Sequence, residues 1–87
     1  MTLLQLNPAV VTWREVDGEI LALDVPGATY LSTNTTGAVL WRALVHGASH
    51  RELVATLVSE FEVDAAQAAA DVDAFVSELA AHGLLET

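Results

Sequence analysis

The sequence predicts an α+β fold of the winged-helix-turn-helix-like type, in which a three-stranded antiparallel sheet precedes three helices. Residues 10–32 are rich in β-branched and aromatic side chains and contain two turn dipeptides. Residues 34–83 place apolar side chains at helical spacing, between residues that favour helix ends. The length of 87 residues suits a single domain, residues 1–87, with one small core.

The first half of the chain predicts an antiparallel meander with strands at residues 10–16, 19–25 and 28–32. Asp17-Gly18 suits a two-residue hairpin, because glycine accepts a positive φ. Pro26-Gly27 predicts the second turn, since proline fixes one backbone angle and glycine accepts an unusual one. In the second strand, alternation separates two faces, which carry Leu21, Leu23 and Val25 on one side and Ile20, Ala22 and Asp24 on the other.

The first two helices have recognisable ends. Asn34 or Thr35 can cap the first helix, and Gly47 is expected to end it. Ser49 and Glu52 have the spacing of a capping box, in which each side chain satisfies the other residue's backbone N–H. We therefore expect the second helix to begin at Ser49.

The third helix is predicted to begin with an analogous box between Asp64 and Gln67 and to end at Gly83. After it, Leu84-Leu85 is expected to fold back onto the core. The large aromatic residues assigned to that core are Trp13, Trp41 and Phe61.

The charge balance argues against nucleic acid and anionic membranes as partners. The formal net charge is −9, and the cations are three arginines. The third predicted helix would be the recognition helix of a DNA-binding winged helix, yet it carries Asp71, Asp73 and Glu78 and no Lys or Arg. Neither a signal peptide nor a membrane-length apolar run is apparent, so a cytoplasmic location is expected.

No constellation of residues predicts catalysis. His46 and His50 have a spacing at which two side chains can share a helix face, but Gly47 lies between them and no third metal ligand is evident. The absence of cysteine excludes thiol chemistry and disulfides. We therefore expect a protein that is not an enzyme and that needs neither a metal nor a cofactor.

The third predicted strand is the feature that points to a function. In a meander it lies at one edge of the sheet, and residues 28–32 carry neither charge nor proline to block further pairing. Such an edge beside an amphipathic helix is a template for a peptide that adds as a strand. The edge could instead pair in a homodimer or be covered by residues 1–9, and the residues alone leave these alternatives open.

The order of several motifs resembles the PqqD family. They are Asp17-Gly18, Leu21-x-Leu23-Asp24, residues 26–41 and residues 71–85. Members of that family read approximately Gly-x-x-Tyr-x-Leu-Asn-x-x-Gly-x-x-Ile-Trp in the part that corresponds to residues 26–41. This chain departs from the pattern in one place, because Ser32-Thr33 stands before Asn34 where many members have leucine.

The resemblance implies a RiPP recognition element, a domain that binds the leader segment of a ribosomally made precursor peptide. In such domains the leader adds to the third strand and packs against the third helix. The chain looks most similar to the stand-alone leader-binding proteins of lasso peptide pathways, which work with a separate leader peptidase. Service to another modifying enzyme, or a chaperone role for a radical SAM enzyme as in pyrroloquinoline quinone synthesis, is the alternative.

The candidate peptide-binding residues lie on this strand and this helix. On the strand they are Ala28, Thr29, Tyr30, Leu31 and Ser32. On the helix they are Asp71, Val72, Phe75, Val76, Glu78 and Leu79. The four apolar helix residues form an inward stripe, so they suit a core as well as a groove. Phe75 is the better groove candidate because Asp71 and Glu78, which could bind basic leader residues, lie beside it.

Overall fold

The computed structural model describes residues 3–24 and 29–86. The strands are β1 (Gln5–Leu6), β2 (Val11–Val16), β3 (Glu19–Asp24), β4 (Thr29–Thr33) and β5 (Leu85–Glu86), and the helices are α1 (Thr35–His46), α2 (His50–Phe61) and α3 (Ala65–Ala81). The predicted sheet followed by three helices is confirmed. The Pro26-Gly27 turn, Val25 and Ala28 lie outside the described residues.

The main sheet has the order β2-β3-β4, and both pairings are antiparallel. Asp17 and Gly18 connect β2 to β3 with φ values of 52° and 80°, the left-handed values that a two-residue hairpin needs. This turn fixes the register, in which Val16 lies opposite Glu19.

One face of the sheet is buried against the helices. Ile20 and Ala22 of β3 are buried, whereas Leu21 between them is 41% exposed. Trp13, Ala22 and Leu31 lie in one cross-strand row and therefore share the inner face. Of the two faces predicted for β3, the one that carries Ile20 and Ala22 is thus the inner one.

A second, two-stranded sheet was not predicted from the sequence. β1 pairs antiparallel with β5, and Leu4 pairs with Ala48 at the turn between α1 and α2. The Asn7 N–H also donates to the Leu84 carbonyl, at 2.8 Å. Leu84 is fully buried, which confirms that the C-terminal leucines fold back onto the core.

The predicted caps of α1 and α2 are present. The Asn34 side chain accepts from the Gly37 N–H, and Gly47 follows the last residue of α1 with φ 91°. Ser49 and Glu52 form the complete capping box, with bonds of 2.9 and 3.1 Å between each backbone N–H and the other side chain.

The box predicted for α3 is only half formed. The Gln67 N–H donates to Asp64 Oδ1 at 2.7 Å, but the Gln67 side chain donates to Asp71 instead of returning to the cap. At the other end, Gly83 has φ 71°, and the Gly83 and Leu84 N–H groups donate to the Ala80 and Leu79 carbonyls. This is a Schellman arrangement, so helix termination at Gly83 is confirmed.

The core lies between the inner face of the sheet and the helices. Its largest fully buried side chains are Trp41, Ile20, Leu40, Leu44, Leu53, Leu57, Leu84 and Val72. The core assignment of Trp41 is confirmed. The core assignment of Trp13 is wrong, because Trp13 lies on the edge strand β2 and is 36% exposed. Its ring packs edge-to-face against the ring of Trp41, with 6.0 Å between the ring centroids. Phe61, at the end of α2, is half-buried against the core.

None of the helices in the described part of the chain is long and apolar enough to span a bilayer.

The capping box of α2 makes stability depend on pH. The hydrogen bonds from the Ser49 backbone and side chain hold the pKa of Glu52 below its ordinary value of 4.5. A lowered folded-state pKa gives stability that is present above the unfolded-state pKa and lost as the pH falls through the folded-state value.

We therefore expect thermal melts between pH 7 and pH 3 to show a smaller loss of Tm for Glu52→Gln than for the wild type. The amide keeps an acceptor for the Ser49 N–H but does not titrate. Glu60→Gln, on the exposed side of the same helix, is the control and should follow the wild-type pH profile. Equal profiles for all three proteins would contradict the assignment.

Candidate functional site

The outer edge of β4 has no partner strand among the described residues. β4 is the last strand of the order β2-β3-β4. The N-terminal segment does not cover it, because Leu4 is paired with Ala48 and residues 5–6 are paired with β5. Of the alternatives left open by the sequence, coverage of the edge by residues 4–6 is therefore excluded.

The hairpin register identifies the backbone groups that face this open edge. Val16 and Glu19 close a two-residue hairpin, so the N–H and C=O of Glu19 point toward β2 and those of Ile20 point toward β4. The Ile20 N–H indeed reaches Thr33 Oγ1, at 3.3 Å. Since Ile20 pairs with Thr33 and Ala22 with Leu31, alternation turns the backbone groups of Tyr30 and Ser32 away from β3. Tyr30 and Ser32 are thus the residues whose main chain is open to an added strand.

A groove of about 400 Å³ opens beside β4. We call it the β4–α3 groove. One wall is β4, which contributes Leu31, Ser32 and Thr33, and the opposite wall is α3, which contributes Asp71, Ala74, Phe75 and Glu78. Buried side chains form the floor, namely Leu40, Trp41 and Leu79. This volume lies within the range for ligand pockets, so the groove has room for side chains of a bound peptide.

Six of the predicted site residues come together in this groove. They are Leu31, Ser32, Asp71, Phe75, Glu78 and Leu79. The spacing on α3 explains the grouping, because Phe75 is four residues from both Asp71 and Leu79 and three from Glu78, which places them on neighbouring positions of one helix face. That these residues bind a peptide remains a prediction.

The other predicted site residues are not brought to the groove. Val72 is fully buried in the core, and Val76 is half-buried against the core. The Tyr30 side chain is 80% exposed on the outer face of the sheet, opposite to the helices. Thr29 contributes backbone pairing with Asp24, and Ala28 lies outside the described residues.

Sequence reasoning missed the third wall, which is the first turn of α1. Asn34, Thr36 and Gly37 line the groove between its two other walls. The sequence did mark these residues, because Asn34 is a predicted helix cap and Gly37 lies in the motif of residues 26–41. What the pattern did not give was the position of this turn between β4 and α3, which depends on tertiary packing.

The groove is acidic on its helix side. Asp71 and Glu78 line it, and among the described lining residues there is no Lys, Arg or His. Asp71 is oriented by Gln67, whose side-chain amide donates to Asp71 Oδ1 at 2.9 Å. Glu78 is exposed and lies about two helical turns further along α3. A ligand that places a cation at this wall would meet two carboxylates.

Trp41, one of the residues that line the groove floor, has a buried side-chain donor. Trp41 is fully buried, and its Nε1–H has no hydrogen-bond partner among the described residues. Burial of an unpaired donor costs on the order of 1–3 kcal/mol.

The described residues show no metal site. They contain no cluster of three or more His, Asp or Glu side chains that could hold an ion. His50, one of the two histidines with metal-ligand spacing, instead contacts Asp73 of α3 through Nε2 at 2.6 Å. The groove itself offers carboxylates, hydroxyls and apolar surface, which suit recognition of a ligand.

Comparison with known proteins gives matches of two kinds. The sequence profile of the family described as Coenzyme PQQ synthesis protein D (PqqD) matches residues 19–85. The solved structure of TbiB1 in complex with the TbiA(beta) leader peptide is similar, with a TM-score of 0.86 and 27% identity over 94% of this chain and 94% of that chain. A lasso peptide synthetase B1 complexed with the leader peptide has a TM-score of 0.82 and 27% identity over 97% and 98%. No curated protein sequence matches the chain.

The cap at the groove mouth gives a stability prediction. Asn34 accepts from the Gly37 N–H at 2.9 Å and so satisfies one of the free donors of α1. We expect Asn34→Ala to lower the free energy of unfolding by about 1 kcal/mol, measured by urea denaturation. Asn34→Asp, which keeps the acceptor, is the control and should retain most of the stability. Equal losses for both variants would contradict the capping role.

Proposed function

The chain belongs to the PqqD family, and we propose that it binds the leader segment of a ribosomally made precursor peptide and presents it to a separate enzyme. The main observation behind this proposal is the edge of β4 at Tyr30 and Ser32, which no strand of the described part of the chain covers and which lies directly beside the β4–α3 groove. Support comes also from the two similar solved structures, both of which are leader-peptide complexes.

The proposed binding mode is strand addition to β4. The backbone groups of Tyr30 and Ser32 would bond the main chain of the leader, which gives affinity that tolerates changes in leader sequence. Side chains of an added strand alternate between the two faces of the sheet. Those on the inner face would point toward the β4–α3 groove, where Leu31 and Phe75 offer apolar contact and where sequence specificity would arise.

The acidic wall suggests the charge of the ligand. Asp71 and Glu78 line the groove without a neighbouring cation in its described lining. A leader residue on the inner face whose basic side chain reaches the α3 wall of the groove would therefore be favoured. The net charge of −9 adds a long-range attraction for basic peptides that salt would screen.

In the proposed role, the chain binds the precursor peptide and a separate enzyme carries out the reaction. Holding the precursor close to a leader peptidase, or to another modifying enzyme, raises the local concentration of its substrate. This fits a lasso peptide pathway, because one similar structure is described as a lasso peptide synthetase B1. The family description favours a second candidate, in which the chain serves a radical SAM enzyme in pyrroloquinoline quinone synthesis. Pulldown of the enzyme encoded beside the chain's gene would distinguish the two.

A proline at position 30 tests strand addition. Because the Tyr30 N–H points away from β3, Tyr30→Pro leaves the β3–β4 ladder complete and removes one donor at the open edge. We expect at least a tenfold loss of affinity for synthetic leader peptides, measured by calorimetry. The probes are the TbiA(beta) leader and the leaders of short precursors encoded near the chain's gene.

Tyr30→Ala is the matched control for that experiment. It removes the exposed ring on the outer face but keeps the backbone donor, so its affinity should stay within a factor of about three of the wild type. Circular dichroism checks that both variants fold. If Tyr30→Pro bound as tightly as Tyr30→Ala, strand addition to β4 would be wrong. Sedimentation of the free protein tests the homodimer alternative, in which the same edge is already occupied.

A charge reversal tests the acidic wall. We expect Asp71→Lys to lower the affinity for a basic leader peptide about tenfold at low salt, because the substitution replaces attraction by repulsion in the groove. The difference should shrink as the salt concentration rises. Glu60→Lys makes the same change of net charge on the exposed face of α2 and serves as the control. Equal losses in both variants would show a long-range charge effect and no contact at Asp71.

A further inference from the structure

Gly37 occupies the point where the three walls of the β4–α3 groove meet. It lies in the first turn of α1, is buried, and lines the groove. A Cβ at this position would lie 2.8 Å from Thr33 Cβ on β4 and 3.2 Å from Phe75 Cε1 on α3. The missing side chain therefore sets how closely the end of β4 and the ring of Phe75 approach α1.

The backbone conformation does not explain this glycine. Gly37 is helical, unlike Gly18, Gly47 and Gly83, which have positive φ. A glycine inside a helix is unfavourable relative to alanine, and an alanine here would improve helix propensity. The requirement at position 37 is therefore one of space.

At least one neighbour of Gly37 cannot make room for a side chain without a shift of the backbone. Thr33 Cβ is bonded directly to the backbone, so it moves only if the end of β4 moves with it. The Phe75 ring can shift by a few tenths of an ångström, but it already forms part of the α3 wall. A methyl group at position 37 would thus change the relative position of the groove walls, and binding sites lose affinity when contacts are misplaced by even about 0.5 Å.

We propose that Gly37 is the positioning residue that fixes the width of the β4–α3 groove and thereby the size of the leader side chain that the groove accepts. This proposal rests on the proposed function. It assigns strand pairing and side-chain selection to different parts of the site. Tyr30 and Ser32 pair with the peptide main chain, whereas the junction of Thr33, Gly37 and Phe75 selects one of its side chains.

The test compares the wild type with Gly37→Ala by calorimetry, at a temperature well below both melting points. We expect Gly37→Ala to bind the parent leader at least tenfold more weakly. An alanine scan of the leader should then show that one position, the residue that enters the groove, has lost most of its contribution, while the other positions keep theirs. Amide shifts in NMR spectra should change for Thr33 and Phe75 in the free protein.

Leu57→Val controls for a general loss of stability. Leu57 is buried in α2 and does not line the groove, so this variant should lower the urea midpoint and leave the leader affinity unchanged. Unchanged affinity and an unchanged alanine scan for Gly37→Ala, with the wild type binding, would overturn the role of Gly37 alone. A wild type that binds none of the leaders would overturn the proposed function and this inference with it.

Phe75→Leu gives a second test that does not depend on Gly37→Ala folding. It removes the ring carbon that stands 3.2 Å from the Cβ position of Gly37 and leaves more room at the junction. We expect leaders with a bulkier residue at the groove position to gain affinity relative to the parent leader. Gly37→Ala should lower the affinity for the parent leader less in the Phe75→Leu background than in the wild-type background. Strict additivity, with no change in size preference, would contradict the proposal.

Discussion

Within residues 3–24 and 29–86, β4 is paired on one side only, by β3, and the candidate site follows from this constraint. Antiparallel pairing turns alternate backbone groups of a strand to opposite sides, so β3 can satisfy only half of those on β4. The hairpin at Asp17-Gly18 sets the register and thereby decides which half remains. The open groups belong to Tyr30 and Ser32, and the inner-face neighbours of these residues, Leu31 and Thr33, line the groove. The open edge and one wall of the groove are therefore formed by the same strand.

The helices complete the site at some expense of stability. Trp41 joins the core to the groove floor with an indole N–H that has no partner among the described residues. Gly37 lowers the helix propensity of the first turn of α1, but its lack of a side chain lets α1, β4 and α3 pack closely. Both residues line the groove. The helix ends at Asn34, Ser49 and Gly83, by contrast, follow the rules for stable caps.

Much of the fold could be predicted from the sequence because its signals are local. The hairpin at Asp17-Gly18, the cap at Asn34 and the box at Ser49 each depend on residues a few positions apart. The shared face of Asp71, Phe75 and Glu78 follows in the same way from helical spacing. Most of the misses depend on residues distant in sequence, and the contact of Gln67 with Asp71, four residues along α3, is the local exception. The β1–β5 pairing and the α1 wall arise from tertiary packing, Trp13 is exposed because its strand ends the sheet, and Gln67 turns to Asp71 because a nearby acceptor competes with the cap.

The β1–β5 pairing has a consequence for how this protein can be joined to others. It holds residues 5–6 against residues 85–86, and Leu4 lies against Ala48, just beyond the C-terminal end of α1. The groove lies at the opposite end of α1, which has 12 residues and is about 18 Å long. A fluorescent protein or a catalytic domain fused through a flexible linker at either end would therefore enter on the side of the molecule away from the open strand. Circular permutation, with a short loop joining the paired ends, should likewise leave the edge of β4 accessible.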